Sequence, residues 1–416
     1  MPTFPVNPNA HPTPSRLDRR EFLKASGLFT AASIVLPKLR SAESIMLPFG
    51  NGERDLVAYP QKRPLIRLTT RPPQLETPFA VFNEGPITPN DAFFVRYHLS
   101  DIPLKIDPAA YRVRVRGAVN TPLVLSLAEL KALGDPMEIV AVNQCSGNSR
   151  GFFQPRVAGG QLGHGAMGNA RWTGIPLKRV LEKAGVAATA KQVTFDGLDA
   201  AVAPGTPDYV KALDLDHALD GEVMLAYAMN GADLPMLNGY PLRLVVPGYY
   251  GTYWVKHVTD ITVLDSVFAG FWMNPAYRVP DNPSRSVPAG EAPKKSVPIT
   301  RFSIRSFITS VADGARVPAN RATVVRGIAF DSGQGITEVQ FSADGGRTWR
   351  GTELGRDLGR YSFREWSASF TPGRAGSFEL MARAFNRMGE SQPLAPLWNP
   401  AGYMRNVVEK VTVTAT

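Results

Sequence analysis

The 416 residues carry a formal net charge of +10, with 44% hydrophobic and 20% charged residues, a balance ordinary for a folded globular protein and unlike a disordered one. A single cysteine, Cys145, excludes an intramolecular disulfide framework and cysteine-built structural zinc sites, and no CxxCH occurs to attach a c-type haem. The length predicts two or more domains, and 36 prolines with 37 glycines predict many turns and short strands.

Part of the charge sits at the N-terminus. Residues 1–41 hold Arg16, Arg19, Arg20, Lys24, Lys38 and Arg40 against Asp18 and Glu21, a net +4 that leaves +6 on the remainder. That remainder has no Lys/Arg block of five, so it suits an anionic substrate or acidic partner rather than nucleic acid. Arg19-Arg20 precede a mild apolar stretch, Ala25 to Leu36, ended by Pro37. This is too short to span a membrane, which takes roughly 20 apolar residues. A buried amphipathic helix is one reading. The paired arginines and the small residues at Ser41-Ala42 instead resemble a twin-arginine export signal, and so predict a periplasmic mature protein that starts near residue 42.

Beyond a short extension (42–79), residues 80–279 alternate apolar runs with turns. "YRVRVRGAV" (111–119) alternates as a half-exposed strand does. "SLAELKAL" (126–133) has helical spacing, and Ser126 three residues before Glu129 makes a capping box. "MEIVAV" (137–142) predicts a buried strand that delivers Cys145 just past its end. "IPLKRVLEKAG" (175–185) predicts a second helix stopped by Gly185. The fold class expected is α+β, a mixed domain without βαβ rhythm. Residues 280–300 hold five prolines and predict a linker or strap. From 301 to 416, strands recur at about ten-residue spacing with a "DGG" hairpin signal, which predicts an immunoglobulin-like β-sandwich.

Three constellations could carry chemistry. Cys145 lies among Asn143, Gln144, Ser146, Asn148, Ser149 and Arg150, with Gly147 and Gly151 freeing the backbone. A metal ligand, a small buried hydrophobe and a nucleophile all remain open on residue types alone, although an adjacent arginine favours the thiolate. A nucleophile needs a histidine base, and His98, His164, His217 and His257 occur in no familiar cysteine-hydrolase context. In "FFVRYHL" (93–99), Arg96 and His98 share one strand face, where two cationic donors call for an anion or a salt bridge. Gly163-x-Gly165-x-x-Gly168 is a formal GxGxxG with no strand before it and no βαβ frame after it, so it argues against dinucleotide binding and leaves a loop close to some ligand.

Taken together, "FFVRYHL", "NQCSGNSR", "ARWTGIPL", "LAYAMNG-DLP", "GYPLRLVVPG" and "WVKH", in this order, resemble the sulfite oxidase family of molybdenum enzymes, and "FSADGGRTW" and "WNPAGYMRN" resemble its second domain. Within the family the likeness is to exported bacterial sulfite dehydrogenases. The resemblance implies oxidation of sulfite to sulfate at a molybdenum–molybdopterin centre. Electrons would pass singly to a c-type cytochrome, either a separate protein or a stable haem subunit. It implies Cys145 as the sole protein ligand of molybdenum. Arg96, His98, Arg150 and Tyr277 would stand at the substrate anion. Phe94, His98, Asp199, Asn238, Arg243, Trp254 and Lys256 would hold the pterin and its phosphate, with Asn238 at a position often histidine. Two departures stand out: Ala401 in "WNPAG" replaces an arginine usual in animal and plant members, and the lysine often found before the cysteine segment is missing. The alternative is an exported molybdenum-dependent reductase of sulfoxides or related oxyanions.

Overall fold

The structure, a computed structural model, describes residues 43–416, so the expected export segment lies outside the described residues. Five short strands come first: β1 (Ser44–Met46), β2 (Glu53–Val57), β3 (Leu65–Thr69), β4 (Gln74–Glu76) and β5 (Val95–Arg96), hydrogen-bonded in that order. β4 and β5 pair antiparallel, with Gln74 opposite Arg96. The sheet thus runs across residue 80 and ties Arg96 to the stretch read as an extension.

The next part places the cysteine. In β6 (Arg112–Gly117) the valines 113 and 115 are buried and the arginines exposed, as the alternation predicts. β7 (Leu123–Ser126) pairs with it and leads into α1 (Leu127–Lys131), whose capping box of Ser126 and Glu129 forms in both directions. β8 (Met137–Gln144) becomes fully buried toward its C-terminal end and pairs along its length with β9 (Met167–Pro176). α2 (Leu177–Ala184) follows and ends at Gly185, in the left-handed region at φ 67°. The remaining elements are β10 (Gln192–Asp196), β11 (Lys211–Asp214), α3 (Leu215–Ala218), β12 (Met224–Met229), β13 (Ala232–Asp233), β14 (Arg243–Val245) and β15 (Asp260–Leu264). They complete two sheets, β11-β10-β15-β6-β7 and β13-β12-β9-β8, the latter with β14 added beside β12. Both contribute to one core around Trp172, Leu225 and Phe195, all fully buried.

The proline-rich strap is tacked down at both ends, because β16 (Arg278–Pro280) pairs with β17 (Ser296–Pro298). Then come β18 (Arg305–Ile308), β19 (Ala315–Val317), β20 (Thr323–Phe330), β21 (Ile336–Ser342), β22 (Arg350–Gly351), β23 (Glu353–Leu354), β24 (Arg364–Phe370), β25 (Gly376–Asn386) and β26 (Lys410–Ala415). They form two sheets, β18-β20-β24-β23 and β19-β26-β25-β21-β22, over a shared core that includes Val325, Phe341, Trp366 and Val413. A separate apolar cluster joins Val142, Tyr250 and Tyr277 to Phe307, Ile328 and Phe330, so the cysteine strand leans on the C-terminal sheets.

The expected α+β class is met only loosely. Regular structure among the described residues is mostly strand, with three short α-helices of five, eight and four residues. The physical reason is the turn density: prolines and glycines interrupt the chain before a helical run can lengthen.

Candidate active site

β8 ends at Gln144, and the next residue is fastened at once. The Cys145 N–H donates to Ala166 O at 2.9 Å, and its carbonyl accepts from Asn148 N at 3.0 Å. The Asn148 side-chain oxygen accepts from Ala166 N at 3.1 Å, closing the loop against the start of β9. Cys145 is 8% exposed and lines an open cavity together with Arg96, His98 and Tyr277. Three separated segments of the sequence therefore meet on one wall.

The cavity is cationic. Arg96 donates to the Tyr97 carbonyl and, among the described residues, has no acidic partner. Arg243 and Lys256 face each other across an isolated antiparallel bridge, and both line the cavity. The Arg243 guanidinium lies against the rings of both Trp172 and Trp254, at 5.0 and 5.6 Å, and burial pushes it down to about 9. Lys256 Nζ donates to Arg96 O at 2.7 Å, and burial drops its ammonium to about 7 against the pull of Asp199. Asp199 is buried, and that burial raises its carboxyl above the ordinary range. Asn238 is held from two sides: its oxygen accepts from Lys62 Nζ at 2.5 Å and its amide donates to Phe94 O at 3.0 Å. Phe94 and Trp254 supply apolar wall, the former stacked on Phe93 and the latter edge-on to Trp172.

His98 Nε2 is hydrogen-bonded to the Tyr277 hydroxyl, and its ring stacks on Tyr209 at 3.9 Å. Desolvation, reinforced by Arg96, Lys256 and Lys211, holds His98 well below its ordinary pKa, so the imidazole is neutral. Desolvation also raises Tyr277, which keeps its phenolic proton. Tyr277 has φ 56°, a backbone conformation costly for a bulky residue and typical of places where surrounding structure forces a side chain into position.

Arg150 stands beside this wall rather than in it, where the sequence had grouped it with Arg96 and His98. Its Nε donates to Ala401 O at 3.1 Å, and its guanidinium lies over the Tyr403 ring at 4.9 Å. Its charge still reaches Tyr277 and Tyr403, lowering both phenols slightly against burial. A side chain at Gly159 or Gly402 would collide with Arg150, and both glycines have positive φ, so neither position tolerates another residue cheaply.

The GxGxxG stretch is a structural loop. Fully buried Glu76 accepts from Gly163 N at 3.0 Å and Gly165 N at 3.3 Å, which presents His164 Nδ1 to Ser149 Oγ at 2.7 Å. Ser149 in turn accepts from both terminal nitrogens of buried Arg305, at 3.1 Å each. Sequence reasoning missed Lys62, Lys211, Tyr209, Arg305 and Tyr403. Tyr403 alone left a signal, since it lies within the "WNPAGYMRN" segment. The others lie in stretches with no motif.

Two features fit the residues to a metal–pterin group. Among the described residues no cluster of three His, Cys, Asp or Glu could hold an ion alone, so a single thiol fits a metal whose other ligands come with it. Buried polar atoms also lack protein partners just here: Asn143 Oδ1, Gln144 Oε1, Ser146 Oγ and Arg243 Nε, all of residues lining the cavity or flanking Cys145. Four of the twelve such orphans among the described residues gather in or beside this one cavity, and that grouping suits a large polar ligand. Cys145 would hold the metal, and Arg243, Lys256, Asp199, Asn238 and Trp254 would hold the pterin and its phosphate.

Fold and site together define a molybdopterin-dependent oxidoreductase. Residues 99–272 match the oxidoreductase molybdopterin binding domain and residues 296–416 the Mo-co oxidoreductase dimerisation domain. The chain is 33% identical over 362 residues to sulfite oxidase of Gallus gallus, covering 83% of this chain and 77% of that protein. It is 34% identical over 373 residues to mitochondrial sulfite oxidase of Homo sapiens, covering 85% of this chain and 66% of that one. Sulfite oxidase of Arabidopsis thaliana matches at 27% over 388 residues, with coverage of 88% and 98%. The crystal structure of the sulfane dehydrogenase SoxCD from Paracoccus pantotrophus shares the fold, with TM-score 0.70, 24% identity and coverage of 92% and 93%. The chain belongs to the sulfite oxidase family of molybdenum enzymes. Its cofactor is molybdenum bound to molybdopterin.

Proposed function

We propose that this chain oxidises sulfite to sulfate and passes the electrons singly to a c-type cytochrome, in the periplasm reached by twin-arginine export. The observation that carries the reading is one cavity that gathers a single cysteine, an arginine free of carboxylates and a neutral Tyr–His pair. The sulfite oxidases of animals and a plant among the relatives support the substrate. When bound, the molybdenum–pterin supplies two-electron oxygen-atom transfer.

The protein's share is charge, position and protons. Arg96 offers its planar fork to the oxyanion, and Arg150 adds a second positive charge from behind Tyr403. Their fixed fields favour a small anion and stabilise charge that grows during the reaction. The Tyr277–His98 pair is neutral on both sides, so it holds one proton between Oη and Nε2 and can turn it to an oxyanion without adding net charge. We carry the division into a catalytic part (80–279), a strap (280–300) and an immunoglobulin-like sandwich (301–416) as part of the same proposal. Purified holoprotein should reduce cytochrome c on adding sulfite, and should leave dimethyl sulfoxide unchanged when given a reduced dye. A molybdenum-loaded protein that ignores sulfite and reduces the sulfoxide would establish the reductase alternative.

A further inference from the structure

We propose that Tyr403 is a positioning residue that sets the affinity of the anion site, acting as a platform on which Arg150 and Tyr277 are both fixed. The inference rests on the function proposed above and names how its oxyanion is held.

Tyr403 comes from the segment before β26, far in sequence from the cysteine loop, and its placement is built rather than incidental. Buried Asn399 grips its backbone twice: the Asn399 amide donates to Tyr403 O at 2.8 Å, and the Asn399 oxygen accepts from Tyr403 N at 3.2 Å. Gly402 and Met404 on either side have φ 61° and 60°. A methionine in that region is strained, and such strain persists where the surroundings need the shape. Trp398 anchors the start of the turn, its Nε1 donating to Pro155 O at 2.9 Å. All of this aims one ring at the site.

Two active groups rest on that ring. Tyr277 lies parallel to it at 5.5 Å and 5°, and the Arg150 guanidinium sits over it at 4.9 Å. Arg150 also donates to Ala401 O, so the same turn holds it by backbone and by ring. Ala401 gives the anion no charge of its own. Retention of the anion therefore leans on Arg150 being kept still, a task the Tyr403 ring shares with the Ala401 and Gly160 carbonyls. Because Tyr277 bears on the same ring, the hydroxyl bonded to His98 is set by it too.

The test uses holoenzyme carrying Tyr403→Ala or Tyr403→Phe. Steady-state KM and kcat for sulfite are measured, and sulfate binding to the oxidised holoenzyme is measured by titration calorimetry. Loss of a cation–ring contact and a ring stack should raise both KM and the sulfate Kd about tenfold in Tyr403→Ala, which is about 1.4 kcal/mol. Its kcat should stay within about threefold. Tyr403→Phe keeps the platform and should stay within about twofold of the parent in both constants. The proposal is overturned if alanine leaves sulfate affinity unchanged, if only kcat falls, or if phenylalanine is as damaging as alanine. Should the parent enzyme turn over no sulfite, the functional reading falls, and the sulfate titration still decides the role of the ring.

Discussion

Replacing Arg305 with methionine removes a guanidinium that is 1% exposed and links the C-terminal sheets to the cysteine loop. Burial pushes Arg305 down to about 10, even with Glu409 beside it at 3.4 Å. That depression already nets its favourable partners, so the charge sits in the fold at a disadvantage of roughly 3 kcal/mol. Its Nε has no hydrogen-bond partner among the described residues. Methionine nearly matches the volume and keeps apolar contact with Phe307, whose ring lies 4.4 Å from the guanidinium. Glu409 retains Arg405, two bonds of 3.0 Å, and Ser149 retains His164. Arg305→Met should therefore unfold within about 2 °C of the parent, since a chain this large moves about 1 °C per kcal/mol. Arg305→Ala adds a cavity that costs about 3 kcal/mol or more relative to Arg305→Met, and should unfold at least about 3 °C below it. Thermal unfolding of both holoproteins decides the matter. In Arg305→Met, Ser149 loses two of its partners, so the KM for sulfite should rise a few-fold at unchanged molybdenum content. A drop above about 4 °C for the methionine variant would refute the reasoning and make the buried charge a net stabiliser.

Cys145→Ser should abolish molybdenum retention and turnover while secondary structure and unfolding midpoint stay close to the parent's; full molybdenum content in that variant would remove Cys145 from its assigned role. Acid stability follows from His164 and His257, both buried and pushed down to about 3. Their folded values lie below the ordinary 6.5, so this contribution is complete above pH 6.5 and is lost as pH falls toward about 3, at up to roughly 3 kcal/mol per pH unit for the pair. Glu76, raised to about 7, acts in the opposite sense between its ordinary 4.5 and about 7, so the decline should steepen below pH 4.5. Denaturant titrations across this range should show that shape, with a flatter slope in His164→Phe; a slope unaffected by that change would exclude His164 as a source.

Elements whose cause is local could be read directly from sequence. The capping box at Ser126, the stop at Gly185 and the alternation in β6 each depend on neighbours within a few residues, and each stands in the structure. The run ending at Cys145 was legible for the same reason, as a buried strand that turns out into a polar loop. What joins distant segments was not legible from residue types. Arg96 meets Cys145 only because β5 pairs with β4, and Tyr277 reaches His98 only through a backbone turn with φ 56°. Family resemblance had grouped Arg96, His98, Cys145 and Tyr277, which line one cavity, together with Arg150, which stands beside it. It did not reveal Arg305 under Ser149, because a buried arginine reads in sequence like any exposed one. Nor did it reveal that Tyr403 replaces open space between Arg150 and Tyr277 with a ring.

The central claim is that the cavity of Cys145, Arg96, His98 and Tyr277 oxidises sulfite. The most direct measurement is a single turnover of fully molybdenum-loaded enzyme mixed anaerobically with sulfite, with sulfate quantified and cytochrome c then added. One sulfate per molybdenum should form before any acceptor is present, followed by two cytochromes reduced per sulfite consumed. Loaded enzyme that forms no sulfate, or forms it equally well in the Cys145→Ser variant, would contradict it.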